Sequence, residues 1–152
     1  MKMTDKYIRN ELVENIGIVY EKAGHTPMAG RIVGVLFLSE PPYKSFDELV
    51  VELSASKSAI SNGLNLLLAM GLVEYETFSG DRKRYFKLNL PALETIFRKE
   101  LENISRFGAL LRKVRATRSS KYSDFNKGID NFIKLIDIFQ AEYHRIIEKW
   151  KE

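Results

Sequence analysis

Hydrophobic positions recur along this chain with two different periods, and the change from one to the other marks its organisation. Ile8, Leu12, Ile16 and Tyr20 step by four, a one-sided stripe that ends at Ala23-Gly24, where glycine adopts the left-handed C-cap conformation. The spacing predicts a helix over 5–23. Thr26-Pro27 then supplies an N-cap followed by proline at the first helical position, and Met28, Ile32, Val35 and Leu36 continue on one face until Pro41-Pro42 stops the helix. Gly30 and Gly34 lie one turn apart on this second helix. Glycine costs helix propensity, so the expected reason is close packing of a neighbouring helix against bare backbone.

Ser45-Phe46-Asp47-Glu48 is a capping box, and Phe46, Leu49, Val50 and Leu53 follow with the spacing of a short amphipathic helix. Ser54-Ala55-Ser56 interrupts it. Ser56 caps a further helix whose buried stripe is Ile60, Leu64, Leu67 and Leu68 and whose end is Met70-Gly71. Two short helices joined by a three-residue turn have helix-turn-helix spacing.

Beyond Gly71 the period becomes two. Val73, Tyr75 and Thr77 alternate with Leu72, Glu74 and Glu76, a turn falls at Ser79-Gly80-Asp81, and Phe86 and Leu88 alternate with Tyr85 and Lys87 on the return. A β-hairpin is predicted, its tip holding Arg82, Lys83 and Arg84.

From Pro91 to about Arg115 no breaker occurs, and Leu93, Phe97, Leu101, Ile104, Gly108 and Leu111 recur at steps of four and three. Residues 116–123 are polar enough to be a connection. The last helix carries the clearest seam, formed by Phe125, Ile129, Phe132, Ile136, Phe139, Tyr143, Ile146 and Trp150. Such a seam packs inside one chain, across a two-fold axis, or both.

Composition narrows the function classes. The 152 residues contain no cysteine, which excludes disulfides, thiol nucleophiles and sulfur-ligated zinc, and the two histidines, His25 and His144, have no metal-site spacing. No converging nucleophile-base set or carboxylate pair is suggested, so the expectation is no enzyme, no metal and no cofactor. No apolar run approaches the roughly 20 residues of a membrane span, and the charged start lacks a signal peptide's apolar stretch. A soluble, cytoplasmic protein is expected. The formal net charge is +4, yet residues 24–90 balance seven bases against seven acids, and residues 91–152, with 13 bases and nine acids, carry the surplus. Much of it lies in the run Arg106, Arg112, Lys113, Arg115, Arg118 and Lys121, which either faces phosphates or is solvated surface.

Two helices, a helix-turn-helix and a hairpin with a basic tip stand in the order of a winged helix-turn-helix. The stretch from Met28 to Leu90 also resembles the multiple-antibiotic-resistance-regulator (MarR) superfamily of transcription factors, and within it the branch around the glycine-betaine-synthesis repressor (GbsR-like). The resemblance is carried by Gly30-Arg31-Ile32-Val33-Gly34-Val35-Leu36, Ser45-Phe46-Asp47-Glu48-Leu49, Ser56-Lys57-Ser58-Ala59-Ile60-Ser61 with Leu64, Gly71-Leu72-Val73, and Gly80-Asp81-Arg82-Lys83 with Tyr85-Phe86. It implies that residues 57–70 are a recognition helix entering the major groove. Periodicity agrees, because a core face at Ile60, Leu64 and Leu67 leaves Lys57, Ser58, Ser61, Asn62 and Asn65 outside. There the amides can pair with adenine edges, and hydroxyls near helix starts, as at Ser45 and Ser56, can hold phosphate; the alternative is a merely solvated face. For a wing over 79–84 the family pattern is Asp with a basic residue two positions later. Lys83 stands where arginine is common, so Arg82 or Arg84 becomes the expected minor-groove residue, unless the cations only keep the tip solvated.

The expected architecture is therefore mainly α with a small β-hairpin (α+β): a winged helix-turn-helix at 25–90, flanked by an N-terminal helix at 1–24 and a helical dimerisation region at 91–152. The expected function is a DNA-binding transcriptional repressor, a homodimer on a pseudo-palindromic operator in double-stranded DNA. A protein-interaction module is the alternative, kept by the neutrality of residues 24–90. The betaine-type branch further implies a small effector such as a quaternary ammonium held by aromatic faces, for which Tyr7, Tyr20, Tyr43, Phe97 and Phe107 qualify by type.

Overall fold

A computed structural model describes residues 3–150, and the side chains of residues 3–5, His144 and Trp150 lie outside the described residues. The element order is α1 (Met3–Lys22), α2 (Pro27–Phe37), β1 (Lys44–Ser45), α3 (Phe46–Glu52), α4 (Lys57–Ala69), β2 (Val73–Glu76), β3 (Tyr85–Leu88), α5 (Leu90–Thr117) and α6 (Ser123–Trp150). The chain divides into two compact units, Met1–Leu93 and Glu94–Glu152, so α1 belongs with the winged domain. This is a winged helix-turn-helix, mainly helical with a small antiparallel sheet.

The local signals placed the starts of three helices correctly. Thr26 accepts the Ala29 N–H at the start of α2, and Ser56 accepts the Ala59 N–H at the start of α4. At α3 the capping box is complete: the Glu48 N–H donates to Ser45 Oγ at 3.4 Å, while the Ser45 N–H donates to Glu48 Oε2 at 2.7 Å. Each cap satisfies amides that the first helical turn cannot pair internally.

The first unit is built around α2. Ile32, Val33, Val35 and Leu36 are buried on it, and Leu49 of α3, Ile60 and Leu67 of α4 and Phe86 of β3 join them. Fully burying each aliphatic side chain stabilises the unit by about 1.5–3 kcal/mol. The expected close approach at Gly30 and Gly34 is made by α1. A Cβ at Gly30 would stand 2.6 Å from Tyr20 Cβ and 2.8 Å from Gly17 Cα, and one at Gly34 would stand 3.0 Å from Val13 Cα.

Two expectations need correction. The stripe Ile8, Leu12, Ile16 and Tyr20 is only partly the face that α1 buries: Ile8 and Leu12 are exposed, Ile16 and Tyr20 are half-buried against the α2 glycines, and Val13 and Gly17 are buried beside them. The sheet is also more than a hairpin. Its order is β1-β3-β2, with Ser45 opposite Tyr85 and Lys44 opposite Phe86 on one side of β3, and Val73 opposite Leu88 through Glu76 opposite Tyr85 on the other. Two residues cannot display a period, so β1 left no hydrophobic signature. The wing strands end at Glu76 and Tyr85, leaving Thr77 in the loop rather than on the strand.

In the second unit α5 and α6 run antiparallel. Arg115 pairs with Asp130 at 2.9 Å, Arg112 pairs with Asp137, and Gln140 donates to Ser105 Oγ. At the closest approach Gly108 is buried, with Ile136 Cγ2 3.0 Å from where a Cβ would lie. Asn126, 2 % exposed, closes the connection by accepting from Arg118 Nε at 2.7 Å and donating to the Ser119 carbonyl at 2.8 Å. The seam of α6 is thereby split. Ile136 is sealed inside the chain, Ile129 and Tyr143 are half-buried, and Phe125, Phe132, Phe139 and Ile146 remain exposed. The Trp150 side chain, also assigned to the seam, lies outside the described residues.

Candidate nucleic-acid interface

Helix α4 buries Ile60, Gly63, Leu64 and Leu67. The opposite face consequently presents Lys57, Ser58, Asn62 and Asn65, all exposed, with Ser61 half-buried. A groove of about 460 Å³ opens beside this helix, and its walls include Ser61 and Asn65 from α4, Asp47 from α3, and Arg82, Lys83 and Arg84 from the wing. Ser61 and Asn65 thus meet the wing tip, 17 or more residues away in sequence, in one concavity, whereas Lys57, Ser58 and Asn62 lie outside its walls.

The two capping serines differ. Ser56 is exposed, and its hydroxyl lies 3.1 Å from that of Ser58, close enough for both to face one phosphate. Ser45 is 3 % exposed, and its hydroxyl donates to Glu48 Oε2 at 2.6 Å. Its position as both strand residue and helix cap engages its polar groups with Glu48, while the residue itself lines the same groove. The hydrogen bonds from Ser45 also hold the Glu48 carboxyl below the usual carboxylate range.

The wing tip is organised by one carboxylate. Asp81 accepts the Tyr85 hydroxyl at 2.6 Å and the Lys83 backbone N–H at 2.9 Å, which depresses its own pKa and, through the same hydroxyl bond, pushes Tyr85 up to about 12. Behind it, Tyr43, Phe78 and Tyr85 form a triangle of rings with centroids 5.0–5.4 Å apart. This ties the wing loop to the segment before β1. The three cations then separate: the Arg84 guanidinium lies 4.7 Å from the Tyr75 ring centroid, whereas Arg82 and Lys83 are exposed with no ion pair among the described residues.

Charge balance in the winged region is uneven in space. Glu52 pairs with Arg9 and Lys44, and Glu74 and Glu76 pair with Lys87. Glu48 and Asp81 are held by hydrogen bonds from uncharged donors and keep their charge, whereas Arg82 and Lys83 at the groove have no ion pair among the described residues.

In the basic run, Arg112 and Arg115 bind α6 acids, Arg118 binds Asn126 and covers the Phe125 ring at 4.5 Å, and Arg106 reaches Glu102 at 3.7 Å. Much of that run therefore holds the helical pair together. The proposed effector aromatics find other partners: His25 for Tyr20, Phe78 and Tyr85 for Tyr43, Tyr143 for Phe97 and Phe132 for Phe107. Tyr7 is 71 % exposed. No cage is assembled from these contacts. Among the described residues no group of three His, Asp or Glu could hold a metal ion, and no helix is long and apolar enough to cross a membrane.

Asp47 has no signature as a groove residue in the sequence: Asp47-Glu48 carries helix-start chemistry, and nothing local distinguishes an acid facing a groove from one facing solvent.

No protein-family model matches the chain. It is 37% identical over 78 residues to the HTH-type transcriptional regulator MmpR5 of Mycobacterium tuberculosis, a match covering 51% of this chain and 47% of that protein. The chain thus spans about half the length of the curated relative it matches. Among solved structures, the crystal structure of a transcriptional regulator aligns with a TM-score of 0.66 at 23% identity, covering 94% of this chain and 97% of the other, a likeness of fold. The MepR-DNA complex of S. aureus aligns over 90% of this chain and 95% of that one at 16% identity, with a TM-score of 0.44.

Proposed function

We propose that this chain is a MarR-superfamily transcriptional regulator of the cytoplasm, a repressor that binds a pseudo-palindromic operator as a homodimer, one winged domain per half-site. The observation that carries this reading is the convergence of the polar face of α4 and the cationic wing tip on one groove. A duplex presents base edges to a helix and phosphates to a flanking cationic element, which is the division of labour this surface supports. Lys57, Ser58, Ser61, Asn62 and Asn65 are assigned to the major groove, with Ser56 on phosphate. Arg82, exposed and unpaired among the described residues, is assigned to the minor groove and Lys83 to the backbone. Arg84 stacks on Tyr75 and shapes the tip.

The exposed apolar residues Phe125, Phe132, Phe139 and Ile146 on α6, with Ile104, Phe107, Leu110 and Val114 on α5, support a second copy of the chain as partner. Exposed apolar side chains repeating along two helices are what an interaction surface presents. The betaine-type effector draws no support from the ring contacts.

Fluorescence anisotropy with random duplex DNA, then with sequences selected from a randomised library, tests the reading. The expected result is salt-sensitive binding to both, with the selected sequences bound roughly a thousandfold or more tightly. Absence of binding at low salt defeats it and leaves the interaction-module alternative.

A further inference from the structure

We infer that Asp47 determines operator specificity, by accepting a hydrogen bond from the exocyclic amine of a cytosine in each half-site. This rests on the DNA-binding reading above and adds a residue, and a base, that it does not contain. Two adjacent acids open α3, and the structure uses them differently. Glu48 turns to Ser45, completing the capping box. Asp47 is exposed and lines the groove with Ser61, Asn65 and the wing cations, where it is the one carboxylate among the described lining residues.

Its surroundings make that position informative. Arg82, Lys83 and Arg84 line the same groove, yet none pairs with Asp47 within 4.0 Å among the described residues, so the carboxylate is not neutralised by the wing. Nor does the cap need it, because Glu48 already occupies that role. An ionised carboxylate facing duplex DNA opposes the phosphates, and a hydrogen-bond donor on the base edges offsets that repulsion. Base-edge donors in the major groove are the amines of cytosine and adenine. A carboxylate accepts only, which suits the cytosine amine. Adenine also presents N7, an acceptor that an amide such as Asn65 complements and a carboxylate repels.

The experiment is selection of bound sequences from a random duplex library by the full chain and by its Asp47→Ala and Asp47→Asn variants, followed by anisotropy on the selected and random duplexes. The wild type is expected to select a cytosine at one position of each half-site. Asp47→Ala is expected to lose about tenfold of that preference and Asp47→Asn, whose amide oxygen still accepts, to lose less of it, while both bind random duplex more tightly, since a charge opposing phosphate is gone. A readout limited to helix stability would show neither change, and Asp47→Glu, retaining the acceptor, should keep part of the cytosine preference. If both variants keep the wild-type preference and gain affinity equally on all sequences, Asp47 is a plain repulsive charge and the inference is overturned. If the wild type selects no sequence at all, the DNA-binding reading fails first and takes the inference with it.

Discussion

Asp81 and Tyr85 face each other across the tip of the wing, joined by a 2.6 Å hydrogen bond from the tyrosine hydroxyl to the carboxylate. The same carboxylate holds the Lys83 N–H, so one side chain sets the path of the backbone that presents Arg82 and Lys83. Wing shape is therefore written in a four-residue contact, Asp81 to Tyr85, and backed by the Tyr43 and Phe78 rings.

This contact predicts a pH signature. Tyr85 keeps its proton up to about 12, so the bond persists through the range in which an ordinary tyrosine ionises and is lost only as pH rises through that value. Asp81 is shifted the other way, and its contribution is present above the ordinary aspartate range and disappears as pH falls through its depressed value. Ultraviolet titration of tyrosinate should show Tyr85 ionising late, alongside Tyr20, which burial also raises, and Tyr85→Phe should remove one late step that Asp81→Ala moves toward 10. A titration in which Asp81→Ala leaves the late step in place contradicts the assignment.

Alanine substitution of the three wing cations should separate them. Loss of a phosphate contact flattens the plot of log affinity against log salt by roughly 0.9 per subunit, expected for Lys83. Arg82→Ala should cost most on duplexes with A·T-rich flanks, where the minor groove is narrow. Arg84→Ala should act more weakly than either, because its guanidinium rests on Tyr75. Equal effects for all three on every flank would overturn the assignment.

The division of the α6 seam predicts two classes of variant. Phe139→Asp with Ile146→Asp alters residues that are 47% and 61% exposed, and should give a folded monomer with a mass near 17.6 kDa by light scattering. Ile136→Asp places a charge at a site 3% exposed and against Gly108, and should instead unfold the helical pair, at a cost of several kcal/mol. If the exposed pair of substitutions leaves a dimer, this face is not the interface.

Gly30 and Gly63 should respond unequally to alanine. At Gly30 the new methyl meets the Tyr20 Cβ and Gly17 backbone, which have little room to yield, and a loss of about 1–3 kcal/mol is expected. At Gly63 it meets the far end of the Ile32 side chain at 2.7 Å, which can rotate, while alanine gains helix propensity. Chemical denaturation should rank Gly30→Ala as the less stable variant, and the reverse order would show that α1 can move away from α2.

What was legible in the sequence was whatever a few neighbouring residues decide. Thr26, Ser45 with Glu48, and Ser56 each satisfy amides within three positions, so these caps and the helices after them follow from local chemistry. The outer face of α4 and the three-cation tip are likewise consequences of period and adjacency. Tertiary structure decided the rest, because the deciding contacts join residues far apart in the chain. Strand β1 exists only through its pairing with β3, and α1 faces α2 through Val13 and Gly17 because Gly30 and Gly34 let backbone approach backbone. Arg84 rests over Tyr75, and Ile136 is buried while its seam neighbours stay open, because in each case the partner comes from another element. Asp47, indistinguishable in sequence from any acid at a helix start, acquires a groove only when α4 and the wing close around it.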